Sequence, residues 1–252
     1  MSWEETYTIW NKRPDLAPEV REDLDKIAND NEALEDAFYT PMEFGTAGMR
    51  GLIGAGINRM NIYTVRQATE GLARFMDTLD EETKLRGVAI SYDSRHMSQE
   101  FAFEAARVLG AHGIPSFVFE SLRPTPELSF TVRHLHAYAG IMITASHNPK
   151  QYNGYKIYGE DGAQMPPKES DMITNYIREV DDLFAVEVAD KDALINDNTL
   201  QVIGSEVDEV YLENAKEVTI DRELVAEEGK TMKLVFTPLH GTGGMLGEKA
   251  LR

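Results

Sequence analysis

The sequence predicts an α/β fold organised around a parallel sheet. Three observations carry that prediction. Short apolar runs at Gly87–Asp93, Ile114–Phe119 and Tyr138–Ala145 alternate with longer segments of helical spacing, the rhythm of strands joined by crossover helices. Gly87–Asp93 is apolar and ends in a polar turn, as strands buried on both faces do. Of the 252 residues 42% are hydrophobic, with ten Phe, ten Tyr and two Trp to anchor a core.

Each element follows from local chemistry. Ala17–Tyr39 is polar and acid-rich, with Val20, Leu24, Ile27, Leu34 and Phe38 at helical spacings; Asp15 or Pro18 starts it and Pro41 stops it. Residues 1–40 therefore read as a helical arm, with Trp3 and Trp10 packing it onto a larger body. Five glycines between Gly45 and Gly56 make the next stretch a loop or bulged strand. Ile62–Leu79 is helical through Val65, Ala68, Leu72, Phe75 and Met76, and Ser98–His112 is helical with Gly113 as its cap. At Thr125-Pro126-Glu127 a capping residue, a proline and an acid open a helix. Another helix follows Pro166-Pro167 through Ile173, Ile177 and Val180. The acidic stretch Asp181–Asp208 reads as a junction, Val207–Val218 as a helix, and Met232–Thr237 as the first strand of a second α/β unit.

Charge narrows the function. The formal net charge is −18, which argues against nucleic acid as a partner. Residues 1–40 carry 4 basic and 11 acidic side chains, and residues 161–230 carry 6 and 19. Between them, residues 121–160 hold Arg123, Arg133, Lys150 and Lys156 against only Glu127 and Glu160, together with His134, His136 and His147. Such a window suits a small anion as well as it suits a neutral surface. With no Cys, disulfides, Cys-based zinc sites and thiol catalysis are excluded. The longest mostly apolar run, Ala137–Ala145, is far short of the ~18 residues that span a bilayer. MSWEETYTIW lacks the features of a secretory signal, so a cytoplasmic location is the expectation.

The chemistry concentrates in ITASHNPKQYNGYKIY, residues 143–158. A buried strand delivers Thr144-Ala145-Ser146 to its carboxyl end, where open sheets bind ligands. Asn153-Gly154 is a tight-turn signal, so the chain folds back and brings Lys156 towards Ser146. A serine hydroxyl beside imidazole, amide and ammonium groups is a phosphoryl acceptor in outline, although a serine in a turn commonly does no more than cap it.

TASHNPKQYNGYKIY closely resembles the active-site loop of the α-D-phosphohexomutases, the phosphoglucomutases and phosphomannomutases. FGTAGMRG resembles the N-terminal signature of that family, and FTPLHGTGG the opening of its second domain. The longer acidic arm is most similar to the bacterial phosphoglucomutase branch. The resemblance implies a mixed, mostly parallel sheet sandwiched by helices over residues 41–205, and the start of a second similar domain over 206–252. It implies that Ser146 carries the catalytic phosphate and meets Mg²⁺ through it, and that His147 and Lys156 assist proton transfer and neutralise phosphate. It further implies that Arg50 reaches into the site and that Asn148, with Thr144, shapes the phosphate-binding loop. Asp93-Ser94-Arg95 is similar to a family turn near the site, and is equally a local ion pair fixing that turn.

The implied reaction interconverts glucose 1-phosphate and glucose 6-phosphate, with mannose phosphates as a second substrate class and glucose 1,6-bisphosphate as intermediate and activator. The family's Asp-Gly-Asp-x-Asp-Arg metal loop does not occur in these residues. On this reading the chain is an N-terminal fragment, inactive alone, with the remaining Mg²⁺ ligands elsewhere. The alternative is a non-catalytic sugar-phosphate-binding or partner-docking module without the metal half.

Overall fold

The computed structural model describes residues 1–45 and 48–251, so Thr46 and Ala47 of the glycine-rich signature lie outside the described residues. The N-terminal arm comprises three helices: α1 (Trp3–Lys12), α2 (Pro18–Ile27) and α3 (Asn31–Phe38). The run expected from Ala17 to Tyr39 is broken at Asp30, whose carboxylate accepts the Ala33 amide and starts α3 afresh. Trp10 is 2% exposed and meets Phe38, Tyr63 and Phe184 edge-on, at 5.7, 5.5 and 5.1 Å between centroids. Together with Leu24, Leu34 and Phe38 it pins the arm to the body.

The body runs β1 (Gly48–Leu52), α4 (Ile62–Met76), α5 (Glu81–Lys84), β2 (Val88–Tyr92), α6 (Ser98–Ala111), β3 (Ser116–Phe119), α7 (Thr125–His134), β4 (Ala139–Ile143), β5 (Tyr152–Tyr158), α8 (Pro167–Arg178), α9 (Lys191–Asn196) and β6 (Leu200–Ile203). After it come α10 (Ser205–Glu217), α11 (Arg222–Glu228) and α12 (Gly244–Leu251). The six strands form one sheet in the order β1-β5-β4-β2-β3-β6. β4, β2, β3 and β6 are parallel, whereas β5 runs antiparallel to both β4 and β1. This is the mixed, mostly parallel sheet that the resemblance implies.

Helices cover both faces. Val88, Ile90, Ile141, Ile143, Tyr155 and Ile157 face a core shared with α4, α6 and α8. The opposite parity, Ala89, Met142 and Tyr158, packs on Leu128 and Val132 of α7. From β2 the chain passes to β3 on one side, then crosses through α7 to β4 on the other. The carboxyl ends of β2 and β4 therefore flank the point where strand order reverses, where open α/β sheets bind ligands.

Four local readings are corrected. Asn153-Gly154 is not a turn but lies inside β5; the reversal is made earlier, where the Tyr152 amide donates to Pro149 O at 3.0 Å. Thr125 is the first helical residue rather than the cap, because Pro124 holds the extended cap position. The acidic stretch Asp181–Asp208 contains α9 and β6, and β6 extends the sheet beside β3. Met232–Thr237 forms no strand: it is exposed, and among the described residues no strand lies beside it to complete a ladder. No helix among the described residues is long and apolar enough to cross a membrane.

Candidate active site

β4 is buried along its whole length, and the Thr144 amide extends its ladder by donating to Gly154 O at 3.0 Å. There the loop departs. Thr144 Oγ1 accepts the Ser146 amide at 2.9 Å, and the Asn148 amide donates to Ala145 O at 3.1 Å. Between these bonds Ser146 sits in the left-handed region, φ +57°, which costs an L-residue about 1–2 kcal/mol. Its side chain is exposed, with Oγ 3.3 Å from Nδ1 of the exposed His147. A strained serine at a strand's carboxyl edge points to a function that outweighs the conformational cost.

The turn after β2 grips this loop. Arg95 Nη2 donates to Ser146 O at 2.8 Å and Asn148 O at 2.7 Å, and Nη1 donates to Pro149 O at 2.9 Å and Tyr152 O at 3.0 Å. Its Nε faces Asp93 Oδ2 at 3.2 Å, while Asp93 Oδ1 accepts the Arg95 amide and the Ser98 hydroxyl. Asn153, fully buried, donates to Ser98 Oγ at 2.9 Å and His96 O at 3.0 Å, tying β5 to the same turn. That demand for a polar side chain inside a strand is why an Asn-Gly pair occurs there. Gly154 beside it has no room for a side chain, since a Cβ would lie 2.6 Å from Thr144 O and 2.9 Å from Met49 O.

Sheet register brings the cations to one face. Arg50 pairs with Gly154 and Gly48 with Lys156, while Met142 pairs with Lys156 across β4. Arg50, Lys156, Met142 and Thr144 therefore share the α7 face of the sheet. Arg50 Nη1 donates to Asn148 Oδ1 at 2.8 Å. Lys156 is half-buried, and burial, then the nearby Arg50 charge, hold its ammonium pKa below the ordinary lysine value.

A cavity of about 730 Å³ opens over the loop, within the ~300–1,000 Å³ range of small-molecule sites. Thr144, Ser146 and Asn148 line it, with Arg95, His96, Lys150 and His240. Arg50, His147 and Lys156 do not form its wall: Arg50 joins the loop through Asn148, the His147 ring lies beside Ser146 Oγ, and Lys156 shares the sheet face of Arg50 and Thr144. Sequence reasoning left Arg95 as equally an ion pair fixing its own turn and counted Lys150 only within the cationic window, while His240 belongs to the FTPLHGTGG segment. The signal for Arg95 was its place at the end of a buried strand, matching that of Ser146. Asp93 is the carboxylate of the cavity wall, and both its oxygens are engaged. Among the described residues no group of three or more His, Asp or Glu is placed to hold a metal ion. The described residues therefore do not make a magnesium site by themselves.

Comparison with known proteins agrees with this fold. The family model for phosphoglucomutase/phosphomannomutase, alpha/beta/alpha domain I, matches residues 41–183. A phosphoglucomutase of Staphylococcus saprophyticus is 36% identical over 229 residues, which is 86% of this chain and 40% of that protein. One from Staphylococcus aureus is 40% identical over 207 residues, 82% of this chain and 36% of its own length. The chain thus spans 40% or less of these curated relatives. A crystal structure from Thermus thermophilus, described as a phosphomannomutase, superposes with a TM-score of 0.64 at 28% identity, covering 84% of this chain and 43% of the other. The Paramecium phosphoprotein pp63/parafusin shares the fold, with a TM-score of 0.60 at 17% identity, covering 83% of this chain and 41% of its own. The chain belongs to the phosphoglucomutase/phosphomannomutase family and carries its α/β/α domain I.

Proposed function

We propose that this chain is the phosphoserine-bearing part of a hexose-phosphate mutase that interconverts glucose 1-phosphate and glucose 6-phosphate. The observation that carries the reading is Ser146: an exposed hydroxyl held in a strained turn, at the reversal point of the sheet, over a cavity lined by cationic groups. Residues 41–205 act as the serine-carrying domain, and residues 206–252 open a second one. The bond from phosphorus to Ser146 Oγ breaks as a sugar hydroxyl oxygen bonds to that phosphorus. The hydroxyl proton leaves to a base, and the freed Ser146 Oγ takes one up. The resulting glucose 1,6-bisphosphate turns over, and its other phosphoryl group returns to Ser146 by the same exchange.

His147, 3.3 Å from Oγ, is the group placed to hold or deliver the proton there. Lys156 and Arg50 offset charge on the transferring oxygens; the lowered pKa of Lys156 also lets it exchange a proton more readily than a free lysine. Thr144 and Asn148 keep the loop in shape by the bonds described above. The metal such a reaction uses supplies further charge neutralisation, with ligands beyond these residues. The test is Ser146→Ala in the full-length enzyme: turnover of glucose 1-phosphate is expected to be lost, and parent-like turnover overturns the reading.

A further inference from the structure

We infer that Arg95 is a positioning residue for phosphoryl transfer, the group that sets the direction in which Ser146 presents its hydroxyl; this rests on the phosphoserine reading above. A guanidinium has five N–H donors in one plane, and in Arg95 every one has a partner. Four go to the carbonyls of Ser146, Asn148, Pro149 and Tyr152, and the fifth faces Asp93. The four carbonyls belong to one seven-residue reversal, Ser146 to Tyr152, and one of them is that of the serine. Asp93 balances the charge, and the side chains of the pair are only 12% and 11% exposed. The donors of Arg95 are therefore committed to the shape of the loop rather than to a ligand.

The consequence lies at Ser146. A left-handed serine relaxes to ordinary backbone geometry unless neighbouring bonds oppose it. The bond to the Thr144 hydroxyl fixes the amide on one side of Ser146, and Arg95 fixes the carbonyl on the other. With both peptide groups held, the Cα–Cβ bond is aimed at the cavity that Ser146 lines, and Oγ is left only its staggered rotamers about that bond. The clamp is anchored at the end of β2 and the serine at the end of β4, so it spans the two strands that flank the reversal of strand order. Lysine cannot replace it, since a single ammonium reaches neither four carbonyls nor a planar fork.

Arg95→Lys decides the matter with two readouts. In the 252-residue chain, the amides of Ser146, Asn148 and Tyr152 are expected to exchange with solvent at least tenfold faster, while those of β2 and β4 keep their protection. In the full-length enzyme, kcat is expected to fall at least tenfold with the KM for glucose 1-phosphate within twofold. Unchanged loop exchange, or unchanged kcat, overturns the assignment, and so does a rise in KM at parental kcat, which marks a substrate-binding group instead. Should Arg95→Lys not fold, Asp93→Asn keeps an oxygen for the Arg95 amide and the Ser98 hydroxyl but removes the Nε acceptor and the balancing charge; faster loop exchange is expected, and parental exchange overturns the assignment. Turnover surviving in Ser146→Ala overturns the phosphoserine reading itself, whereas turnover surviving in Arg95→Lys beside an inactive Ser146→Ala overturns only the role of Arg95.

Discussion

Gly154→Ala tests how closely β1, β5 and β4 must pack to build the serine loop. A Cβ on residue 154 would lie 2.6 Å from Thr144 O and 2.9 Å from Met49 O, both backbone atoms of flanking strands. Carbon–oxygen contacts begin at about 3.3 Å, so the neighbours must retreat by roughly 0.4–0.7 Å. Overpacking of this kind costs about 1–3 kcal/mol, and Ala recovers about 0.4–1 kcal/mol by restricting the unfolded chain. The net expectation is a loss of about 1–2 kcal/mol in urea unfolding, with faster amide exchange at Thr144, whose N–H bonds to Gly154 O. Gly113→Ala is the control. Nothing lies within 4 Å of a Cβ there, but φ is +69°, so about 1 kcal/mol is lost through backbone strain with no change in the serine loop. Parental stability in Gly154→Ala, or parental exchange at Thr144, refutes the packing argument.

Two titratable groups give further predictions. The His112 pKa is raised above the ordinary value near 6.5, first by its bond to Glu70 at 3.0 Å and then by Asp77 at 2.6 Å, against the opposing effect of burial. Its contribution is complete below about pH 6.5 and is lost as pH rises through the raised value, so His112→Gln should cost about 1–2 kcal/mol at pH 6 and flatten the fall of Tm above it. A parent-like Tm profile contradicts this. Glu127 is fully buried beside Arg123 and Asp208, and burial, then Asp208, push its pKa up to about 8. The folded state holds a proton that the unfolded state releases near pH 4.5, so stability falls as pH rises from there towards 8. Glu127→Gln should match the parent at pH 5 and exceed it by about 1 kcal/mol or more at pH 8, measured by urea unfolding; equal stability at pH 8 contradicts the assignment.

How much of this the sequence discloses depends on whether the cause is local. The apolar runs and their alternation with helices are local, and β2, β3, β4, α4, α6 and α8 form where those patterns lie. The serine loop is legible because its chemistry is contiguous. Asn153-Gly154 misleads because its turn propensity is real but loses to long-range demands: a buried amide bridging to Ser98 and His96, and a close approach of two strands. The place of Arg95 at the end of a buried strand is legible, but its hold on the serine loop is not, since its partners are backbone carbonyls more than fifty residues away. β6 is hidden by its exposed Gln201 and Val202 within acidic surroundings; its pairing with β3 decides it. Met232–Thr237 shows the converse, an apolar run with strand propensity and, among the described residues, no neighbour to pair with.

The most direct measurement is to equilibrate the full-length enzyme with glucose 1,6-bisphosphate, then locate phosphate by intact mass and peptide mapping. One phosphate per chain, on the peptide that contains Ser146 and absent from Ser146→Ala, is the predicted result. Phosphate on a different residue, or an unmodified Ser146 in an enzyme that turns over, contradicts the account.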